Sequence, residues 1–246
     1  LPISIVGSRM ASAYGEYATG ELVGTLVNAG YSIVSGGAYG IDAMAHRAAL
    51  AMGGDTVSVM AGGIDKLYPS GNAALLNEIG SSGCLITEMP PGSEPTKWRF
   101  LQRNRIIAAL GQATVVVEAN PKSGAVSTAN RAQELGRALG AVPGHINSPG
   151  ADGCHRLIRE ADARLITSGH DVLEMLGRTV ETDRDQLPGL GALETRVNDV
   201  IGHGGANLEM ICHEAGLTRS EAQIGISGLL LAGLIEQDSE GWRRKH

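Results

Sequence analysis

Over most of the chain, short apolar runs alternate with longer stretches of helical period. The runs at 3–6, 31–34, 56–60, 84–87, 113–117, 138–142 and 164–166 read as strands. Between them, stretches such as 14–28, 41–52 and 123–135 carry helical spacing. Strand and helix in strict alternation predict a parallel sheet covered by helices on both faces. Buried parallel strands read as continuous β-branched runs, and Thr114-Val115-Val116-Val117 is the clearest case. The rhythm stops near Leu176. Positions 177–189 are polar, with Glu181, Asp183, Arg184 and Asp185 ahead of Pro188-Gly189, and read as a linker. Three helical patterns follow, at 190–201, 207–215 and 218–232, and then two short strands at 234–235 and 241–243. Three helices and a hairpin form a winged-helix pattern. Thr218 with Glu221 three residues on is a capping box that opens the third helix. The expected organisation is an α/β domain over 1–176, a linker over 177–189 and a small winged-helix domain over 190–246.

Composition narrows the functions that such a fold can serve. Of 246 residues, 43% are hydrophobic and 19% charged, as in a folded globular chain. Aromatics are only 3%, too few for the broad base-stacking platform of an OB or RRM domain. The net charge of −6 means that any nucleic-acid site is a local basic patch on an acidic body. Cys84, Cys154 and Cys212 lie far apart without metal-ligand spacing, a sparse and odd count that fits a reducing cytoplasm. No apolar run of about 18 residues predicts a membrane span, and no signal-peptide pattern is present. The chain opens at Leu1 directly in a strand pattern without a Met, so residues upstream are expected.

Candidate chemistry gathers at the ends of the predicted strands. The first ends in Gly7-Ser8-Arg9 and the second in Ser35-Gly36-Gly37-Ala38-Tyr39-Gly40-Ile41-Asp42. Both loops fall at the carboxyl edge of the sheet, where open α/β folds bind ligands. Glycine lets backbone N–H groups turn toward an anion, the following helix adds its positive end, and Arg9 can grip a phosphate with two donors. Tight βα turns without a ligand are the plainer reading, which two such loops with Arg9 weigh against. No Gly-x-x-x-x-Gly-Lys-Ser/Thr or Gly-x-Gly-x-x-Gly string occurs, so neither P-loop NTP hydrolysis nor dinucleotide oxidoreduction is supported, and no cofactor is expected. Asp42 and His46 stand four apart at a helix start. They are either an acid–base couple or a cap and brace for the loop, and bracing is favoured. Glu88 is a further bracing candidate. Ser123, Gly124 and Thr128 either add anion donors or cap a helix.

A basic cluster stands beside these loops. No acidic residue occurs from Pro95 to Val117, a stretch that holds Lys97, Arg99, Arg103 and Arg105 with Trp98 and Phe100. Cations interleaved with rings suit a single strand, because cations track phosphates and a ring stacks on a base. A solvated helix face over two buried rings is the alternative, and one of Arg103 and Arg105 fits a structural anchor.

The strings Val6-Gly7-Ser8-Arg9, Ser35-Gly36-Gly37-Ala38-Tyr39-Gly40-Ile41-Asp42, Ala45-His46, Tyr68-Pro69, Phe100-Leu101-Gln102-Arg103-Asn104-Arg105-Ile106-Ile107 and Pro143-Gly144 together resemble the DNA processing protein A (DprA/Smf) family, in order over 1–176. The resemblance implies a Rossmann-like domain that binds single-stranded DNA in a positively charged pocket and dimerises. It further implies protection of incoming strands and help in loading the RecA recombinase on them in natural transformation. By the same resemblance, Gly7, Ser8, Arg9, Gly36, Gly37 and Ala38 meet phosphates. Lys97, Phe100, Arg103 and Asn104 line the pocket, Arg105 belongs to the same basic string, and Phe100 is a movable ring against a base. Leu101 stands where the family often has Pro. A helical N-terminal domain common in the family has no counterpart in this sequence, and the tail resembles the family's C-terminal winged helix.

The tail is acidic: residues 190–246 hold five Lys or Arg against eight Asp or Glu. Only the end, Trp242-Arg243-Arg244-Lys245-His246, is basic, so auxiliary DNA contact and a protein-interaction role both stay open. Two rival functions remain. One is a phosphoribohydrolase-type enzyme on a similar fold, but its Pro-Gly-Gly-x-Gly-Thr-x-x-Glu string is absent. The other is a sequence-specific regulator acting through the winged helix, against which the acidic charge counts. The expectation is a binding protein and not an enzyme.

Overall fold

A computed structural model describes residues 1–178, 190–201, 205–238 and 241–245. They fall in two compact units, Leu1–Val180 and Glu181–His246. Positions 179–189 of the expected linker lie outside the described residues.

The first unit alternates strand and helix as the periodicity predicts. In order it has β1 (Pro2–Val6), α1 (Ala13–Asn28), β2 (Ser32–Ser35), α2 (Ile41–Ala51), β3 (Thr56–Val59), a short 3-10 turn (Ser70–Asn72) and α3 (Ala73–Ser82). It continues with β4 (Cys84–Ile86), α4 (Lys97–Leu110), β5 (Ala113–Val116), α5 (Gly124–Glu134), β6 (Ala138–Ala141), α6 (Asp152–Glu160), β7 (Arg164–Leu165) and α7 (Gly169–Met175). The seven strands are ordered β4-β3-β2-β1-β5-β6-β7 and every pairing is parallel, with Ile3 of β1 opposite Ile33 of β2 and Ala113 of β5.

The two-residue period of the strands divides their side chains between two cores. Ile3, Ile5, Ile33 and Val115 pack against Leu22, Val23 and Leu26 of α1, Ala45 and Ala49 of α2 and Val172 of α7. Val6, Val34, Val116 and Ala141 face the other way, onto Ile107 of α4, Ala125 and Ala129 of α5 and Leu157 of α6. Ile3 and Ile5 are completely buried, each worth about 1.5–3 kcal/mol relative to exposure. Ser4, pointing to the α4 face, donates its hydroxyl to the Ile107 carbonyl at 2.7 Å and so fixes α4 on the sheet.

From β1 the chain moves outward to β2, β3 and β4, and it then returns to the other side of β1 as β5. The order therefore reverses between β1 and β5, the switch point where open α/β sheets leave a crevice at their carboxyl edge.

The second unit contains α8 (Ala192–Ile201), α9 (Leu208–Ala215), α10 (Arg219–Leu231) and an antiparallel hairpin of β8 (Ile235–Gln237) and β9 (Trp242–Arg244). Val197, Ile201, Ile211, Leu217, Ile226 and Leu229 form its core. The capping box is formed: the Thr218 hydroxyl accepts from the Glu221 amide, and Glu221 returns a carboxylate oxygen to the Thr218 amide at 2.8 Å. The element order is that expected of a winged helix. The hairpin strands lie one to two residues later than the sequence suggests, and His246 at the basic end lies outside the described residues.

Candidate nucleic-acid interface

The crevice at the switch point is a cleft of about 640 Å³. Its floor is the loop after β1, from Val6 to Met10, and its walls are α4 on one side and the Asn120–Ala125 turn into α5 on the other. Arg9, Lys97, Arg103 and Lys122 contribute four cations against one acid, Asp42, so this acidic protein concentrates positive charge here. Arg9, Lys97 and Lys122 are exposed. None has an acidic partner among the described residues.

Two backbone segments present donors to this space. After β1, the amides of Ser8 and Arg9 have no acceptor among the described residues, while the Ser8 carbonyl is tied to the Ile41 amide at 3.0 Å. That tie brings α2 so close that a Cβ on Gly7 would stand 2.6 Å from the Ile41 side chain. The second segment is the start of α5. Ser123 caps the helix by accepting from the Val126 amide, and the first-turn amides of Gly124 and Ala125, at the helix's positive end, have no acceptor among the described residues. Thr128 donates inward, to the Gly124 carbonyl at 3.3 Å. For Ser123 and Thr128 the local reading is therefore capping, and the anion donors are backbone groups beside them.

The glycine loop after β2 departs from expectation. Asp42 reaches back from the first turn of α2 and accepts from the amides of Gly36, at 3.2 Å, and Ala38, at 3.4 Å. Asn72 donates to the carbonyls of Gly37, at 3.0 Å, and Ala38, at 3.1 Å. Arg103 donates to the Gly36 carbonyl at 2.8 Å and to the Val59 carbonyl. These bonds hold the amides of Gly36 and Ala38 and the carbonyls of Gly36, Gly37 and Ala38 within the protein. Ala38 borders the cleft, whereas Gly36 and Gly37 do not line it, and the Gly36 and Ala38 amides, expected to face an anion, donate to Asp42.

Arg103 is thus an anchor as well as a wall residue. It is 6% exposed, and burial, only partly offset by Asp42 and reinforced by Arg9, lowers its pKa to about 10, so it stays charged at neutral pH. Burial raises the pKa of Asp42, opposed by Arg103 and by the amides of Ala38 and Gly36. His46 is not the partner of Asp42 in an acid–base couple. Its Nδ1 lies 2.7 Å from the Thr56 hydroxyl, which itself donates to the Ile33 carbonyl at 3.0 Å. The Thr56 proton is already given away, so His46 must be the donor. Burial, with Arg103 nearby, lowers the His46 pKa to about 3, and the ring is neutral.

Phe100 forms the aromatic element of the cleft. The guanidinium carbons of Arg9 and Arg103 lie 5.3 Å and 5.6 Å from its ring centroid, and the Tyr68 ring lies 5.5 Å away, tilted by 54°. Tyr68, joined to Pro69 by a cis peptide bond, also lines the cleft. Asn104 lines the cleft and donates to the Gly124 carbonyl at 3.2 Å, joining α4 to the start of α5. Arg105 points elsewhere: it is exposed, pairs with Glu88 at 2.6 Å and does not line the cleft. The structure therefore brings together Gly7, Ser8, Arg9, Ala38, Lys97, Phe100, Arg103 and Asn104, and leaves Gly36, Gly37 and Arg105 outside. Lys122 and Asn120 line the cleft without being among the candidates read from the sequence, and Tyr68, part of the Tyr68-Pro69 string, lines it as well. Lys122 had a signal, since it directly precedes a Ser-Gly helix start at a strand's carboxyl end.

The sequence model of the DNA recombination-mediator protein A family matches residues 1–177. The chain belongs to that family. A DNA processing protein DprA of Mycobacterium tuberculosis is 43% identical over 247 residues, covering 98% of this chain and 63% of the relative. This chain thus spans less than two thirds of that relative's length. The X-ray structure of DprA from Streptococcus pneumoniae superposes with a TM-score of 0.66 at 43% identity, over 70% of this chain and 60% of that one. DNA processing protein A from Helicobacter pylori, whose structure concerns its single-stranded DNA binding mode, matches with a TM-score of 0.66 at 31% identity, over 72% and 80% of the two chains.

Proposed function

We propose that this recombination-mediator chain binds single-stranded DNA in the switch-point cleft. The observation that carries the reading is the combination of unpaired cations and free amides around one ring. Among the described residues Arg9, Lys97 and Lys122 have no acidic partner and the Ser8–Arg9 and Gly124–Ala125 amides have no acceptor, and Phe100 lines the same cleft with Arg9 against its ring. Phosphates suit the first two groups and an unstacked base suits the third. A duplex, whose bases stay stacked, has no use for a ring set inside a cleft.

Within this reading the protein works as a homodimer in the cytoplasm, shields incoming strands and helps load RecA on them during natural transformation. It acts by binding, without a bond-making step. Asp42 and His46, the candidate acid–base couple, are engaged separately, Asp42 with the amides of Gly36 and Ala38 and His46 with the Thr56 hydroxyl. The winged-helix unit serves as an auxiliary contact, to DNA or to a protein. Among the described residues no helix is long and apolar enough to cross a membrane.

Titration of labelled oligo(dT) across a salt series tests the reading. Three free cations on phosphates give a slope of log K against log salt of about −2 for a single strand. Arg9→Glu and Lys97→Glu, both at exposed positions, are expected to abolish tight binding without unfolding the protein. Normal binding by both variants refutes the site.

A further inference from the structure

Outside the cleft, α4 carries a ring that the cleft does not use. Trp98 is 66% exposed, and among the described residues its indole has no aromatic or cationic partner. An indole left in water keeps a large apolar face without a contact, and exposed aromatic surface of this kind marks interaction sites. Its neighbour one turn on is Leu101, 42% exposed, which is also part of the cleft wall. Helix positions three apart touch, so Trp98 and Leu101 form an apolar strip that runs out of the cleft beside Phe100. Lys97, which precedes Trp98 in the chain, lines the cleft as Leu101 does. The whole helix holds Lys97, Arg99, Arg103 and Arg105 and not one acidic residue. An apolar strip on an acid-free helix, opening at one end into a cationic cleft, complements a polyanion with flat apolar faces.

We propose that Trp98 is a second stacking platform for single-stranded nucleic acid, taking a base that lies outside the cleft while Phe100 meets one within it. The proposal rests on the single-stranded DNA reading of the cleft and adds a requirement: the strand must be long enough to leave the cleft. A strand confined to the cleft never reaches Trp98, whereas a longer one gains one stacked base.

The test compares a thymidine dinucleotide with oligo(dT) of about fifteen nucleotides, within the range of sites that single-strand binding folds occupy. Trp98→Ala is expected to lower affinity for the long strand by about tenfold, the loss of one stacked base, and to leave the dinucleotide unaffected. Trp98→Phe is expected to recover most of that loss. The long strand should quench tryptophan emission in the parent protein, and Trp98→Phe should remove the quench. Equal affinity of Trp98→Ala and parent for the long strand overturns the proposal. So does an equal loss for both lengths, which marks a structural role, or an altered oligomeric state with unaltered binding, which marks the strip as an interface between copies. Arg9→Glu is the separate control: if it binds both lengths normally, the cleft reading itself fails, whatever Trp98 does.

Discussion

Replacing Arg103 by Leu separates the anchor of the cleft from its ligand-facing cations. The guanidinium is buried and satisfies two buried carbonyls, those of Gly36 and Val59. Leucine leaves both unsatisfied, at about 1–3 kcal/mol each. It also strips Asp42 of its neighbouring positive charge, which further disfavours the carboxylate that holds the Gly36 and Ala38 amides. Against this, leucine removes the cost of burying a guanidinium, visible in the lowered Arg103 pKa. The lower half of the range is therefore expected, a loss of roughly 2–4 kcal/mol. With a urea m-value of about 2 kcal/mol/M, this moves the unfolding midpoint down by about 1–2 M. Arg103→Lys keeps the charge but replaces the fork by one flexible donor group, so its loss should be intermediate. Urea unfolding followed by far-UV circular dichroism measures both, with Lys122→Gln as an exposed comparison expected to match the parent. If Arg103→Leu unfolds at the parent midpoint, Arg103 does not hold the loop.

Other substitutions test neighbouring parts of the account. Gly7→Ala drives a methyl group into Ile41 and is expected to weaken oligo(dT) binding in a gel shift by displacing the Ser8–Arg9 amides, whereas unaltered binding would refute that packing. Arg105→Gln, outside the cleft and paired with Glu88, should leave oligo(dT) affinity unchanged, and a large loss would place it on the strand. His46 has a folded pKa of about 3, below its unfolded value of 6.5. The unfolded chain therefore takes up the proton first, and stability falls as pH drops from 6.5 toward 3, by up to about 1.4 kcal/mol per pH unit. The raised pKa of Asp42 contributes with the opposite sign in parent and variant alike. The urea midpoint of the parent should thus fall relative to that of His46→Leu on acidification, and parallel curves would refute the buried neutral ring.

The parts of this fold that the sequence reveals follow from periodicity. Continuous β-branched runs such as Thr114–Val117 can only be buried on both faces, and the Thr218–Glu221 spacing has one local outcome. What stays hidden depends on contacts distant in sequence. Asp42 lies at a helix start, where a cap is the natural reading. Its bonds to Gly36 and Ala38 depend on Gly40, whose φ of 73° turns the chain so that the carboxylate faces back into its own loop. In α4, cations occur all round the helix, so the sequence does not tell which are buried. The fold buries Arg103 under the β2 and β3 loops and leaves Trp98 in solvent. Lys122 and Tyr68 reach the cleft from a βα turn and a long loop, segments that carry no period by which to place them.

The most direct measurement is a crystal structure of the chain with a short oligo(dT). One phosphate is expected on the Ser8–Arg9 amides, another on Gly124–Ala125 beside Lys122, and a base against Phe100. A strand lying elsewhere on the protein, with this cleft holding only solvent, would contradict it.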